Sequence, residues 1–126
     1  MRLLLDTHTL LWWWGDDPRL GSSARTRIEE PANTVFVSIA SVWEIAIKTR
    51  LGRLRMPLDS VRSLITESGF VTLGIDLPHA LGVADLPDHH RDPFDRMLVT
   101  QAQIEDLTLV TRDPAISRYD VKTVPA

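Results

Sequence analysis

With 126 residues, 44% hydrophobic and 25% charged, the chain has the size and balance of one globular domain, expected to span residues 1–126. The absence of cysteine excludes a disulfide framework and a thiolate zinc site, and fits a reducing, cytoplasmic setting. A net charge of −3 excludes a uniformly basic surface, although Lys48, Arg50, Arg53 and Arg55 cluster in one segment.

The chain opens on the apolar run Leu3–Leu5, which reads as a buried strand ending at Asp6. Asp6 and His8 interrupt the run, so neither a secretory leader nor a membrane partner is expected. Thr7 to Trp14 is apolar enough for a helix, closed by Gly15 and an Asp-Asp-Pro loop. A polar helix follows over Ser22–Glu30, then a β-branched strand over Thr34–Val37. The spacing of Trp43, Ala46, Ile47 and Leu51 predicts a helix over Ile39–Leu54 with one apolar face. Pro57 opens a further helix that Gly69 ends. Phe70–Leu73 reads as a strand and Asp76–Ala84 as a helix. Leu86–Asp92 reads as a polar loop with His89 and His90 exposed. Pro93–Glu105 is an amphipathic helix, Leu107–Thr111 a strand, and Val121–Val124 a last strand. Alternating strands and helices predict an α/β fold, a parallel sheet covered on both faces.

Four carboxylates stand where such strands end or helices begin: Asp6, Glu44, Asp95 and Asp113. Each has a structural explanation. Asp6 and Asp113 can cap the turns that follow them. Ser41 to Glu44 has the spacing of a capping box, and Glu44 pairs with Lys48 at i,i+4. Asp92, Pro93 and Asp95 read as an N-cap, a proline at N1 and an acid facing the helix dipole. Their joint placement goes further, because the carboxyl ends of parallel strands share one rim where ligands bind. Crowded carboxylates repel, and divalent cations relieve that repulsion. Oxygen donors without cysteine favour Mg2+ or Mn2+ over zinc.

Leu3–Thr7, Ser41–Lys48, Asp92–Arg96 and Leu109–Asp113 together resemble the motifs of PIN-domain ribonucleases, and above all the VapC-type toxins of bacterial toxin–antitoxin pairs. The resemblance runs from Leu3 to about Val124. It implies a three-layer α/β/α sandwich around a mostly parallel sheet. It also implies that Asp6, Glu44, Asp95 and Asp113 bind one or two ions, with Thr7 supporting Asp6 through its hydroxyl and Asp92 close by. The implied chemistry is metal-assisted hydrolysis of RNA phosphodiesters. Lys48, Arg96 and Arg112 are the nearest candidates for holding the RNA backbone, and an ion pair or a solvated face is the alternative for each.

Trp12, Trp13 and Trp14 cannot share one face, since a helix turns about 100° per residue. If Thr7, Leu10, Leu11 and Trp14 face inward, Trp12 points nearly opposite and Trp13 to one side. Both are candidates for contact with a partner, which the resemblance implies to be a second copy or a cognate antitoxin. Two other functions compete. One is a PIN-like module that binds RNA or protein without cutting. The other is a phospho-accepting receiver domain, with Asp76 and Lys122 in its key roles, although the acid pair it needs after the first strand is missing. In a dehalogenase-like phosphatase His8 would stand where a second Asp is required.

Overall fold

The computed structural model describes residues 1–126. Five parallel strands, β1 (Arg2–Leu5), β2 (Thr34–Ser38), β3 (Val71–Leu73), β4 (Thr108–Thr111) and β5 (Thr123–Pro125), form one sheet in the order β3-β2-β1-β4-β5. Six helices connect and cover them: α1 (Thr7–Trp14), α2 (Ser22–Glu29), α3 (Ile39–Arg50), α4 (Val61–Ser68), α5 (Leu77–Gly82) and α6 (Pro93–Glu105).

Leu3, Leu4 and Leu5 are fully buried because β1 is the central strand and both faces of the sheet are covered. Alternation sorts them: Leu3 and Leu5 pack with Leu10, Ala24, Val37, Ile45 and Val110, while Leu4 packs with Ala40, Leu98, Leu109 and Ile116 on the other face. The result is the expected α/β/α sandwich. The chain builds β1, β2 and β3 outward to one side, then returns to place β4 and β5 on the other. Strand order therefore reverses between β1 and β4, and a crevice opens at such a point beyond the carboxyl ends. A receiver domain has the order 2-1-3-4-5, which excludes that rival.

Several boundaries differ from the sequence expectation for local reasons. The third helix stops at Arg50, well short of Leu54, because the chain turns through Gly52 at φ +74° and Arg53 N–H closes on the Lys48 carbonyl. Pro57 leads into a 3-10 turn (Leu58–Ser60), and the α-helix begins only at Val61, ending at Gly69 with φ +71°. Phe70 precedes β3 instead of joining it. The fifth helix is shorter than expected, giving way to a 3-10 turn at Val83–Asp85, and the last strand starts two residues later and ends one later.

The apolar stripe of α3 is also turned outward. Ala40, Ser41, Glu44 and Ile45 are the buried residues, whereas Trp43 is 58% and Leu51 61% exposed. No helix is long and apolar enough to cross a membrane.

Candidate active site

Capping places two of the rim's acids, Asp6 and Asp92, and a local turn places Asp113, whereas Glu44 and Asp95 lie within α3 and α6. Asp6 is the N-cap of α1: its Oδ1 accepts the backbone N–H of Thr9 at 2.9 Å and the Thr9 hydroxyl at 2.6 Å. The carboxylate is 4% exposed, and Oδ2 has no protein donor. Thr9, not Thr7, is thus the hydroxyl that supports Asp6. At the third helical position both its backbone and its side chain reach back to the cap.

Thr7 faces α3 instead. Its hydroxyl lies 2.6 Å from Glu44 Oε1 and 3.1 Å from Ser41 Oγ. The capping box expected at Ser41 is absent, because α3 starts three residues earlier than that box requires and is capped by Ser38, whose Oγ accepts from Ala40 N–H at 3.0 Å. Ser41 and Glu44 are released from capping and point into the site. The expected i,i+4 pair does form, with Lys48 Nζ 2.5 Å from Glu44 Oε2. That hydrogen bond raises the Lys48 ammonium above its ordinary value, helped by the charges of Asp92 and Asp95.

Asp92 caps α6 as expected, accepting from Phe94 and Asp95 N–H at 2.8 and 3.2 Å. Asp95 follows in the first turn of the helix. Burial, then the charges of Asp92, Asp6 and Glu44, pushes its carboxyl up to about 7, and His90 pulls the other way. The same influences show that acids from β1, α3 and α6 converge.

His90 is the residue the sequence did not point to. Placed among exposed loop residues by its polar surroundings, it is mostly buried between two acids, with Nε2 2.9 Å from Asp113 Oδ2 and 3.1 Å from Asp95 Oδ2. The backbone N–H of Asp92 donates to its Nδ1 at 3.0 Å, so the proton of the neutral ring sits on Nε2 and points at the acids. Asp113, the fourth acid, spends Oδ1 on the N–H of Ala115 at 2.9 Å and gives Oδ2 to His90. Asp-Pro-Phe-Asp preceded by a histidine was the only available signal, and a pair of loop histidines with no third ligand in sequence does not single one out.

The three basic candidates divide. Lys48 lines a cleft of about 500 Å3 together with Thr7 and Glu44. Arg112 lines a second, of about 310 Å3, together with Asp6 and Asp113. Arg96 faces away from both: its guanidinium donates to the carbonyls of Val83, Leu86, Pro87 and His90 and to the Tyr119 hydroxyl, and so fixes the loop before α6. Among the tryptophans, Trp12 is half-buried under the guanidiniums of Arg19 and Arg112, and Trp13 packs on Phe70. His8, expected to be satisfied by packing, is exposed and stacked on Trp12.

The donor set fits a divalent cation. Hard carboxylate oxygens converge from three elements, and burial together with the neighbouring acids disfavours the Asp95 anion, which a cation would relieve. His90, Asp95 and Asp113 bring one donor atom each within 4.8 Å of one another. The tautomer of His90 makes it a hydrogen-bond donor to the acids and leaves coordination to the oxygens.

Comparison with known proteins agrees with this geometry. The PIN domain family model matches residues 3–122. Ribonuclease VapC22 of Mycobacterium tuberculosis is 30% identical over 113 residues, covering 88% of this chain and 86% of that protein. The fold is shared with VapBC2 from Rickettsia felis, crystallised bound to a DNA fragment from its promoter (TM-score 0.75, 16% identity, 100% of this chain and 99% of that one). It is shared also with FitAcB from Neisseria gonorrhoeae (TM-score 0.65, 19% identity, 96% and 95% of the two chains). A buried strand that ends in a capped acid, three further acids at the same rim and a family match over nearly the whole chain lead to one assignment: the chain belongs to the PIN-domain family, in its VapC-type branch.

Proposed function

We propose that the protein is a metal-dependent ribonuclease that hydrolyses RNA phosphodiester bonds and serves as the toxin of a toxin–antitoxin pair in the cytoplasm. The observation that carries this reading is the convergence of Asp6, Glu44, Asp95 and Asp113 at one rim, each with oxygen capacity left after its structural bonds. These acids would hold one or two ions, Mg2+ or Mn2+. A cation bound there supplies charge stabilisation on the scissile phosphate and activates water for attack.

The remaining side chains have positioning roles. Thr9 fixes Asp6, and Thr7 with Ser41 fixes Glu44. His90 joins Asp113 to Asp95 across two separate elements. Asp92 sets both the start of α6 and the tautomer of His90. Lys48 and Arg112 flank the acids and would receive the phosphate backbone, Arg112 with the N–H groups not spent on Arg19 and Ala126; Arg96 lines neither cleft and is left out of that set. For self-association the exposed stripe of α3, where Trp43 meets Phe94 edge to face at 5.2 Å over an apolar groove of about 270 Å3, is proposed ahead of the Trp12 and Trp13 surface expected from the sequence. The cognate antitoxin is expected to restrain the toxin.

The test is cleavage of mixed single-stranded RNA with Mg2+, Mn2+ or chelator, comparing wild type with Asp6→Asn. Metal-dependent cutting lost in the mutant is expected. RNA binding without cutting under every condition would favour the non-catalytic module.

A further inference from the structure

The two clefts both reach the acids, and His8 and Trp12 are the residues that line both. The larger also carries Glu44, Lys48 and Arg53, the smaller Asp6, Arg112 and Asp113. The ridge between them is a stack. His8 is exposed and lies on Trp12, the ring centroids 6.0 Å apart and the planes within 24° of parallel. The guanidiniums of Arg112 and Arg19 sit 5.0 and 5.4 Å from the indole. Both are anchored: Arg112 donates to the carbonyls of Arg19 and Ala126, and Arg19 pairs with Asp17. The indole is clasped, and the imidazole it backs turns its other face to solvent.

Residues four apart on a helix meet as a matter of course, and guanidiniums often cover an exposed indole. That accounts for the contacts but not for their place. The stack begins two residues after Asp6, separates two clefts that both reach the acids, and is flanked by Arg19, Lys48, Arg53 and Arg112. An aromatic surface inside a cationic groove is the chemistry that binds single-stranded nucleic acid, the groove following the backbone and the ring stacking a base. A base paired within a duplex cannot reach such a surface, whereas an unpaired one can.

We propose that the His8–Trp12 ridge is a stacking subsite for a nucleobase of single-stranded RNA whose neighbouring phosphate lies at the acid rim. The subsite rests on the ribonuclease reading above and deepens it by naming the residues that seat a base beside the phosphate at the rim. It accepts any base, because every base has a π face. Arg53 and Lys48 follow the strand into one cleft and Arg112 follows it into the other.

The experiment is equilibrium binding by fluorescence anisotropy, with Ca2+ as the divalent ion, of a short labelled single-stranded RNA and of an abasic ribose-phosphate chain of equal length. Wild type should bind the RNA about five- to a hundredfold more tightly than the abasic chain, the range of one base–aromatic stack. His8→Ala and Trp12→Ala should remove most of that difference while leaving the abasic chain unaffected, and His8→Phe should restore it. His8 is exposed, so its variants keep the fold even where Trp12→Ala does not. Equal wild-type affinity for the two probes would overturn the proposal. So would variants that weaken both probes alike, or variants that keep RNA binding but lose self-association, which would assign the ridge to a protein. Cleavage with Mg2+ is scored separately: a wild type that binds through the ridge but does not cut fails the ribonuclease reading and leaves the subsite standing.

Discussion

Two histidines in this molecule are held in the same way and serve different ends. His79 accepts the backbone N–H of Asp76 at Nδ1, and its Nε2 meets Glu105 at 3.0 Å. His90 accepts the N–H of Asp92 at Nδ1, and its Nε2 meets Asp113. In both cases the neighbouring aspartate also caps the helix that follows. The two clusters lie toward opposite ends of α6, about 15 Å apart along a helix of that rise. Each gathers three groups capable of holding an ion.

What separates them is the company. At His79 the partners are two carboxylates, Asp76 largely in water and Glu105 partly so, and the ring is 1% exposed with Gln101 beside it. Its hydrogen bonds are complete, so the cluster is a lock between α5 and α6. At His90 two more acids, Asp6 and Glu44, bear on Asp95, and two clefts open onto the acids. A histidine between carboxylates is therefore no sign of a metal site by itself. Uncompensated charge with access from solvent is the better sign.

The largest effect that could break this contrast is on cleavage. Asp6→Asn keeps the cap of α1, since Asn caps as well as Asp, but removes a charge from the rim. It should lower the rate by at least about a hundredfold, given that such sites supply several kcal/mol of charge stabilisation. Asp76→Asn at the other cluster should leave the rate unchanged. Comparable losses in both would mean that the acids act through the fold.

Acid titration of stability comes next. The folded protein holds the proton on Asp95 up to about pH 7, whereas an unfolded aspartate releases it near 3.8. Between those values the folded state binds the extra proton. With chelator present, the contribution of Asp95 to stability is thus complete below about pH 4 and is lost as pH rises toward 7. Asp95→Asn should flatten that slope, as read from chemical denaturation at several pH values, and excess Mg2+ should flatten it in the wild type. A slope unchanged by the mutation would remove Asp95 from the crowded rim.

The histidines themselves sharpen the comparison. His90→Ala should weaken Mn2+ binding by roughly ten- to a hundredfold, the usual cost of removing a group that orients a ligand. His90→Gln, which keeps a neutral donor in reach, should recover part of it. His79→Ala should leave Mn2+ affinity alone and lower stability by about 2 kcal/mol, through buried partners left unpaired. Calorimetric titration and denaturation separate the two.

Much of this was legible in the sequence, and the reason is local. A run such as Leu3–Leu5 ending at Asp6 fixes a buried strand and a cap within seven residues, and the alternation of such units fixes the layers. The acids could be placed at one rim because Asp6 and Asp113 follow strands and Glu44 and Asp95 lie in the first two turns of helices. What was not legible depends on contacts between distant segments. Thr9 gained its role from the register of α1, and Thr7 lost its own because it faces Glu44, 37 residues away. His90 meets Asp113 across 23 residues through a loop that Arg96 folds back. The outward turn of Trp43 could not be read from periodicity, which finds an apolar stripe but not what covers it.

The smallest effect makes the closest test, because it applies one substitution to both clusters. Asp76 and Asp92 are each an N-cap and each donate a backbone N–H to a histidine. Replacement by Asn preserves both functions, so capping alone predicts changes within a few tenths of a kcal/mol at either position. Asp92 differs in bearing on Asp95 and Lys48, whereas Asp76 faces water. Asp92→Asn should therefore relieve like-charge repulsion and stabilise the chelated protein by up to about 1 kcal/mol, the scale of two charges about 4 Å apart in a solvent-like medium. In a domain of this size that is a rise of about 3–5 °C in Tm. Adding Mg2+ should then raise the melting temperature less than in the wild type, since part of the repulsion an ion relieves is already gone. Asp76→Asn should reproduce the wild-type melts with chelator and with Mg2+ alike. Identical behaviour of the two variants would leave capping as the whole role of Asp92 and take it out of the site.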